Sequence, residues 1–354
     1  MNHIQSIQKA LSRDGLGALL LTDPISCRYA TGFYFTDGAV LVTPGSAYLI
    51  TDSRYTEAAA AADTGADLLE HRRQKSLTEW VCELCGGLDL PVAAEESRMS
   101  HSEWTDWEQA LGRALTPAAS VLAGLRCCKD ADERRSLIAA QRIAEKALDD
   151  TLGFIRPGLT EKEVAAFLTY KMLSYGGEEN SFDPIVITGA KTSMPHGVPG
   201  DKVIQAGDFV TMDFGTKKDG YCSDMTRTVA VGSADEEMRR VYAVVLEAQL
   251  AGIAAFRAGV PGRDVDAAGR RVITEAGYGE YFGHGFGHSV GLEIHEAPNA
   301  NPRGETPLPA GAAVSAEPGI YLPGRFGVRI EDVVIVTEDG CEDITKAPKE
   351  LIIL

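Results

Sequence analysis

The first third of the chain alternates short apolar runs with residues that favour turns. Runs with a preference for β-structure cover residues 18–21, 39–42 and 47–50. The dipeptides Asp23-Pro24 and Pro44-Gly45 separate these runs as turns. Apolar residues then recur at helical spacing from Glu57, over residues 76–84 and over residues 100–114, with a short strand at residues 92–94. This pattern predicts a small α/β domain.

Beyond Lys129 the pattern changes to long amphipathic helices. One helix is predicted over residues 129–155. The next is predicted over residues 160–175, where Glu163 is placed to complete a capping box with Thr160. Strands and loops follow, interrupted by helices at about residues 235–258 and 263–276. The change of pattern predicts two domains, residues 1–125 and residues 126–354.

Composition narrows the class of protein. The 354 residues, 44% of them hydrophobic, suffice for two domains with hydrophobic cores and exclude a disordered chain. The 51 acidic and 34 basic residues give a net charge of −17, which disfavours binding to nucleic acid. No apolar run reaches the ~18 residues of a membrane span, and the seven scattered cysteines fit free thiols in a reducing compartment. We therefore expect a cytoplasmic protein that binds neither membranes nor nucleic acid.

Two β-favouring runs around a polar turn bring two aspartates near each other. Asp213 in the string TMDFG and Asp224 in the string SDMTRT are equally far from the midpoint of the turn, so a symmetric hairpin would set them opposite each other. Opposed side chains lie about 4.5–5.5 Å apart, where like charges repel. A cation between the two carboxylates would remove the repulsion. The hairpin alone leaves open a solvated pair, or a pair balanced by Arg227.

Histidines are concentrated in one glycine-rich segment. His284, His288 and His295 lie in the string GHGFGHSVGLEIHE, and His196 lies in MPHG. The spacing differs from the HExxH zinc motif. Residues seven apart, such as His288 and His295, would face opposite sides of a regular strand. We therefore expect these histidines to have different functions.

Two further acids follow in apolar surroundings. Glu317 precedes a proline in the string SAEPGIY, which keeps its backbone extended. In GVRIEDVVIV, the two-residue period of a strand places Arg329 and Glu331 on one face and Asp332 on the other. Each acid alone could be a turn residue or an ion-pair partner. Together with the two aspartates and His288, they describe a pocket of four carboxylates and one imidazole.

The order of these residues resembles metallopeptidase family M24. The strings DFG, SDMTRT, GHGFGH, EPGIY and VRIED carry the resemblance, which is greatest to the Xaa-Pro peptidases, aminopeptidase P and prolidase. The strings YATGF and LITDSRY are similar to the creatinase-like N-terminal domain of that family, so the resemblance covers essentially the whole chain. It implies an α/β creatinase-like N-terminal domain and an α+β pita-bread C-terminal catalytic domain, in which two helix pairs cover a curved antiparallel sheet.

The resemblance also implies a dinuclear metal site. Its ligands would be Asp213, Asp224, His288, Glu317 and Glu331. Asp224 and Glu331 would bridge two divalent ions, Asp213 would bind one of them, and His288 and Glu317 the other. Four carboxylates neutralise two such ions, and oxygen-rich ligation with one imidazole favours manganese, with cobalt, iron or zinc as the other candidates.

The same resemblance implies hydrolysis of the bond between an N-terminal residue and proline by a homodimer. Glu317 would carry a proton to the leaving proline nitrogen. His196 and His295 would stabilise the tetrahedral intermediate and position the substrate. His284 and Arg329 would line the pocket for the proline ring. The Xaa-Pro peptides could be dipeptides or longer chains.

Two alternatives remain open at this point. A general metallo-aminopeptidase is disfavoured because methionine aminopeptidases lack the N-terminal domain, and creatinases lack the full set of metal ligands. A non-catalytic pita-bread binding module, as in histone-chaperone relatives, is disfavoured because such modules have lost ligands, whereas this sequence has all five.

Overall fold

The computed structural model describes residues 2–354, which form two compact units. The first unit extends to Arg126, and the second is Cys127–Leu354. None of the helices within residues 2–354 is both long and apolar enough to cross a membrane. All seven cysteines have free thiols, so noncovalent packing alone holds each unit together.

The first unit combines a mixed six-stranded sheet with helices. Its elements are α1 (Ile4–Asp14), β1 (Ala18–Leu21), α2 (Pro24–Thr31), β2 (Gly38–Val42), β3 (Ala47–Thr51), α3 (Thr56–Ala61), β4 (Asp67–Glu70), α4 (Leu77–Cys85), β5 (Val92–Ala94), α5 (His101–Leu111), β6 (Thr116–Pro117) and α6 (Ala119–Cys127). The strand order is β4-β3-β2-β1-β5-β6. Strand β1 pairs antiparallel with β2 and parallel with β5. This is the predicted α/β domain, with additional helices.

Helix α2 begins where the sequence pattern indicated only a turn. Pro24 is its first residue, a position where the missing amide hydrogen costs nothing. The carboxylate of Asp23 accepts a hydrogen bond from the backbone amide of Ser26 and caps the helix. The Asp-Pro pair is therefore a helix start here. A run of only eight residues is too short to show a clear helical period.

The second unit contains four long helices and several antiparallel sheets. Its elements are α7 (Ala131–Phe154), α8 (Glu161–Ser174), β7 (Ile185–Thr188), β8 (Phe209–Phe214), β9 (Lys217–Lys218), β10 (Tyr221–Cys222), β11 (Met225–Ala230), α9 (Glu236–Ala255), α10 (Gly262–Glu275), β12 (Gly287–Ser289), β13 (Glu296–Ala300), β14 (Ala313–Ala316), β15 (Gly319–Leu322), β16 (Phe326–Arg329), β17 (Asp332–Val336) and β18 (Cys341–Asp343), with short 3₁₀ helices at Gly189–Ser193 and Gly279–Tyr281.

The sheets of the second unit meet at one backbone bridge. One sheet has the order β11-β8-β7, a second has the order β13-β12-β14-β17-β18, and β15 pairs with β16. An antiparallel bridge between Thr226 and Glu331 connects the first two sheets. Helix α7 packs on α8, and α9 on α10. Two helix pairs over antiparallel strands confirm the α+β fold class that the family resemblance implied.

The predicted register of the hairpin around residue 219 is wrong by two residues. Asp213 pairs with Thr226, and not with Asp224. The turn is formed by Asp219 and Gly220, which both have positive φ angles, of 50° and 84°. Such angles at both central residues are typical of a tight two-residue hairpin turn. This turn lies one residue later than the assumed midpoint, so Asp224 lies diagonally across from Asp213.

Candidate metal centre and active site

The five predicted ligands come from strands, or strand ends, of the two connected sheets. Asp213 lies in β8, and His288 lies in β12. Asp224 immediately precedes β11, Glu317 immediately follows β14, and Glu331 immediately precedes β17. Because strands of different sheets converge at the Thr226–Glu331 bridge, residues far apart in sequence become neighbours there.

Asp224, His288 and Glu331 form the centre of the site. One ligand atom of each lies within 4.8 Å of the others. His288 Nε2 is 3.6 Å from Asp224 Oδ2 and 3.4 Å from Glu317 Oε1. On the opposite side of the ring, His288 Nδ1 lies 3.2 Å from the carbonyl oxygen of Ser289. A proton on Nδ1 would satisfy that carbonyl and leave the Nε2 lone pair facing the carboxylates.

The fifth candidate ligand, Asp213, is held by an arginine. Arg329 Nη2 donates to Asp213 Oδ2 at 2.6 Å. Within residues 2–354, the other carboxylate oxygen, Asp213 Oδ1, is buried without a hydrogen-bond partner. An unpartnered buried carboxylate oxygen is costly, and a cation would satisfy it.

The carboxylates of the cluster are buried close together, so a cation between them would stabilise their ionised forms. Burial is the largest cause that raises the pKa of Asp224 and of Glu331 well above the usual range, and the neighbouring carboxylates add to it. Burial, together with the charge of Asp213, raises the pKa of Glu317 to about 8. Burial lowers the pKa of His288 to about 4, so its imidazole is neutral at pH 7. Neutral imidazole and crowded carboxylates are the donors that divalent cations bind, so the residues fit the implied metals.

His295 and His196 lie beside the cluster on loops. The rings of His295 and His288 are edge to face, with centroids 4.4 Å apart. His295 precedes β13 and is exposed. His196 follows the 3₁₀ helix Gly189–Ser193 and is near enough to Asp213 to be one of the groups that lower the pKa of that carboxyl. The two histidines therefore lie near the candidate ligands with side chains open to a substrate.

His284 and Arg329 are linked through a tyrosine. Tyr321 OH lies 2.9 Å from His284 Nε2 and accepts from Arg329 Nη1 at 2.9 Å. The hydroxyl proton is then directed at His284 Nε2, which leaves the imidazole proton on Nδ1, 2.8 Å from the carbonyl oxygen of Gly285. Burial lowers the pKa of His284 to about 4, which keeps it neutral. Arg329 is only 4% exposed. Its guanidinium is therefore buried, in contact with Asp213.

Sequence reasoning missed three supporting residues. Thr226 Oγ1 donates to Glu331 Oε2 at 2.6 Å and accepts from Arg329 Nε at 3.0 Å. Ser315 Oγ lies 3.2 Å from Glu317 Oε1, and Tyr321 joins His284 to Arg329. Residues two apart in a strand share a face. On this basis, Thr226 could have been placed beside Asp224, and Ser315 beside Glu317, from the sequence.

Known proteins resemble this chain over its full length. A model of the Creatinase/Prolidase N-terminal domain matches residues 3–128, and a model of metallopeptidase family M24 matches residues 135–338. The structure of an Xaa-Pro dipeptidase from Bacillus anthracis has a TM-score of 0.94 and 43% identity, covering 99% of both chains. That of an X-Pro aminopeptidase from Thermotoga maritima has a TM-score of 0.93 and 36% identity, covering 98% of this chain and 100% of the other. The Xaa-Pro dipeptidase of Pyrococcus furiosus is 32% identical over 99% of both chains. The chain therefore belongs to metallopeptidase family M24, with an N-terminal domain of the creatinase and prolidase type.

Proposed function

We propose that this hydrolase cleaves the peptide bond between an N-terminal residue and proline with the help of two divalent metal ions. The observation that carries the proposal is the buried cluster of Asp224, His288 and Glu331, with Glu317 beside it and an unpartnered oxygen of Asp213. The relatives named above add the specificity, since each is named for Xaa-Pro or X-Pro cleavage. The proposed domains are a creatinase-like domain, residues 1–125, and a catalytic domain, residues 126–354.

The proposed ligands divide between the two ions. Asp224 and Glu331, the most buried of the four ligand carboxylates, would be shared by both ions. Asp213 would hold one ion, and His288 and Glu317 would hold the other. Manganese is the proposed metal because four carboxylates and one imidazole form an oxygen-rich site, which cobalt, iron or zinc would also fit. Arg329 keeps one oxygen of Asp213 occupied, so that the unpartnered Oδ1 is the oxygen left for the metal.

The residues of the chain move the proton and stabilise the charge. When bound, the metals lower the pKa of a coordinated water and polarise the scissile carbonyl. Glu317, which would be ionised beside such cations, can accept a proton from water and deliver it to the proline nitrogen. His196 and His295 are exposed beside the cluster, so their imidazoles can donate to the oxyanion of the tetrahedral intermediate.

We propose that recognition of proline depends on the shape of its ring, because the nitrogen of an Xaa-Pro bond carries no hydrogen to donate. His284 is the proposed pocket residue: its ring is neutral, and Phe282 packs on it edge to face at 5.0 Å. Arg329, assigned to the same pocket from sequence, is proposed to act there through Tyr321 and Asp213, because its guanidinium is buried against them.

The proline peptide that the manganese-loaded enzyme cleaves, Ala-Pro or Ala-Pro-Ala, is expected to be hydrolysed about 10–200 times more efficiently, measured as kcat/KM, than Ala-Ala or Ala-Ala-Ala of the same length. Loss of the ring removes apolar contact in the pocket, and a secondary amide leaves a less substituted nitrogen for Glu317 to protonate. Equal rates for the two peptides of the same length would instead identify a general metallopeptidase. Lack of hydrolysis of all four peptides, with no tightly bound metal, would favour a binding module.

The choice between dipeptidase and aminopeptidase needs a second comparison. The names of the relatives include both activities. Ala-Pro and Ala-Pro-Ala, assayed side by side with manganese, separate the two: a dipeptidase cleaves only the first, whereas an aminopeptidase also cleaves the tripeptide.

The metal-free protein is expected to lose stability as pH rises, and added manganese should restore it. The folded-state pKa of Glu317, about 8, exceeds its ordinary value of 4.5, so its contribution to the free energy of unfolding is full below pH 4.5 and is lost as pH rises toward 8. Metal reverses this trend because it binds the ionised carboxylates, and at about 100 times Kd it adds about 2.7 kcal/mol. Below about pH 6.5, the lowered pKa values of His284 and His288 give stability the opposite dependence on pH. Melting temperatures of chelator-treated and manganese-loaded protein therefore measure the difference between about pH 6.5 and pH 8. Curves that stay parallel over this range would contradict the assignment, and Glu317→Gln should flatten the metal-free curve.

Partners and location complete the proposal. Xaa-Pro peptides are the proposed substrates of a homodimer, and the net charge of −17 argues against nucleic acid as a partner. The proposed location is the cytoplasm, because all seven cysteines have free thiols.

A further inference from the structure

Glu161 is a fully buried carboxylate that is not one of the candidate metal ligands and has three hydrogen-bond donors. It is the first residue of α8, and none of its surface is exposed. Its Oε1 accepts from the backbone amide of Thr188 at 2.9 Å. Its Oε2 accepts from the backbone amide of Gly200 at 2.8 Å and from Lys191 Nζ at 2.5 Å. These donors lie just before, within and at the end of the loop of residues 189–200, which carries His196.

Lys191 connects Glu161 to the second half of the loop. Its ammonium also donates to the carbonyl oxygen of Val198 at 2.6 Å. Glu161 and Lys191 together therefore connect both ends of the segment around His196. The backbone reinforces the base of the loop, since the amide of Lys162 donates to the carbonyl oxygen of Gly200 at 3.2 Å.

Apolar packing does little to fix the tip of this loop. Met194 and Val198, the large apolar residues on either side of His196, are 58% and 76% exposed. Polar contacts therefore position this loop. At the tip, Arg329 Nη1 donates to the carbonyl oxygen of Pro195 at 3.3 Å, and Glu161 and Lys191 hold the base. At the base, the main polar contact is the ion pair between the buried Glu161 and Lys191, because charge-assisted hydrogen bonds are about twice as strong as neutral ones.

Capping of α8 does not account for Glu161. The cap is formed by Thr160 and Glu163: the backbone amide of Glu163 donates to Thr160 Oγ1 at 3.2 Å, and Glu163 Oε2 accepts from the backbone amide of Thr160 at 2.8 Å. This is the predicted capping box, and it leaves Glu161 free to hold the loop. Burial of a carboxylate costs free energy. Because the helix is already capped, capping gives no reason for that cost.

We propose that Glu161, acting with Lys191, is a positioning residue that holds His196 where it can donate to the substrate. The inference rests on the proposed function through the role assigned to His196. It does not depend on proline as the leaving group. Glu161 itself touches neither substrate nor metal in this account, and its effect on turnover passes through the loop.

The first test compares Glu161→Gln with Glu163→Gln on the manganese-loaded enzyme. Glutamine keeps the size of Glu161 but offers one acceptor oxygen to three donors and adds an NH2 group that faces one of them. We expect kcat to fall about 10- to 100-fold, as small misplacements of catalytic groups do, while KM and metal content stay near wild-type values. Glu163→Gln lies two residues away and weakens only the cap, so its kcat should not change. An equal loss of kcat in both variants would overturn the proposal.

The second test is a double-mutant cycle with His196→Ala. If Glu161 acts through His196, Glu161→Gln should have little further effect on kcat once the imidazole is gone, whereas a general structural defect would multiply with it. Multiplicative losses would overturn the proposal. The cycle is measured on whichever peptide the wild-type enzyme cleaves, so a failure of proline specificity would leave this result intact.

Lys191→Met decides the matter if Glu161→Gln does not fold. This variant keeps the two backbone donors to Glu161 and removes the ammonium group that joins Glu161 to the carbonyl oxygen of Val198. A smaller loss of kcat, absent in the His196→Ala background, would support the proposal. An unchanged kcat would overturn it.

Discussion

Asp224→Asn and Glu331→Gln are each expected to abolish hydrolysis and to remove at least one metal ion per chain. Each proposed bridging carboxylate neutralises charge on both cations, and an amide of the same shape supplies none. If the transition state loses several kcal/mol of stabilisation by the metals, kcat falls about 10³-fold or more. Metal content by elemental analysis, measured together with kcat on an Xaa-Pro peptide, tests the expectation.

A matched control lies in the same hairpin. Asp219→Asn makes the same chemical change in the exposed turn, where asparagine tolerates the positive φ of 50°. Both metal content and activity should stay at wild-type values in this variant. Full metal occupancy with normal turnover in Asp224→Asn or Glu331→Gln would refute the ligand assignment.

The same substitutions are expected to stabilise the metal-free protein. Burial and neighbouring carboxylates raise the pKa of Asp224 and of Glu331 well above the usual range, so their ionised forms destabilise the fold when no cation is present. An uncharged amide relieves this repulsion. In chelator, the melting temperature of each variant should therefore exceed that of the wild type, whereas with manganese the order should reverse. Such a reversal separates a metal ligand from a merely structural buried acid.

The local pattern of apolar and polar residues predicted elements correctly where one face of a helix or strand is buried. Strand β1 and strand β5 have the predicted bounds, and the capping box of Thr160 and Glu163 forms as predicted. The two-residue period also separated Arg329 and Glu331, which both contact Thr226, from Asp332, which pairs with Arg227. Side-chain alternation depends only on the backbone geometry of a strand, and it is therefore readable from sequence.

The sequence did not predict the register of the hairpin, which depends on turn geometry, or the partners of a long side chain. The hairpin register failed because it was counted from an assumed midpoint, whereas Asp219 and Gly220 set the turn. The alternative that Arg227 balances the two aspartates is also wrong. Its Nη2 donates to Asp332 Oδ1 at 2.8 Å, and its Nη1 to the carbonyl oxygen of Glu331 at 2.7 Å. A flexible arginine can reach several acids, so its partner is decided by packing.

Burial of a polar residue is the other property that the sequence did not reveal. Glu161 and Glu163 both lie in the first turn of α8, and the pattern drew attention only to the capping residue. The difference between them arises from the segment of residues 188–200, which supplies three donors to Glu161. Contacts between segments this far apart depend on the tertiary fold.

His295→Ala is expected to lower kcat about 10²- to 10³-fold and to leave both metals in place. Its ring packs edge to face against His288, with centroids 4.4 Å apart, yet His295 is exposed and is not one of the residues that cluster around His288 Nε2. A group in this position can donate to an oxyanion that exists only in the transition state. Its loss should therefore reduce kcat and kcat/KM by similar factors, with little change in KM.

Metal analysis and one conservative variant make this prediction decisive. His295→Gln retains a hydrogen-bond donor of similar reach, so it should recover part of the lost kcat, whereas His288→Gln should lose metal. If His295→Ala instead loses metal, the imidazole is a ligand, and the distinction between His288 and His295 is wrong. If kcat stays within about twofold of wild type, well short of the 10²-fold expected for a lost oxyanion donor, the charge of the intermediate is stabilised elsewhere. His196 is then the remaining histidine donor in this account, and His196→Ala should carry the full loss of kcat.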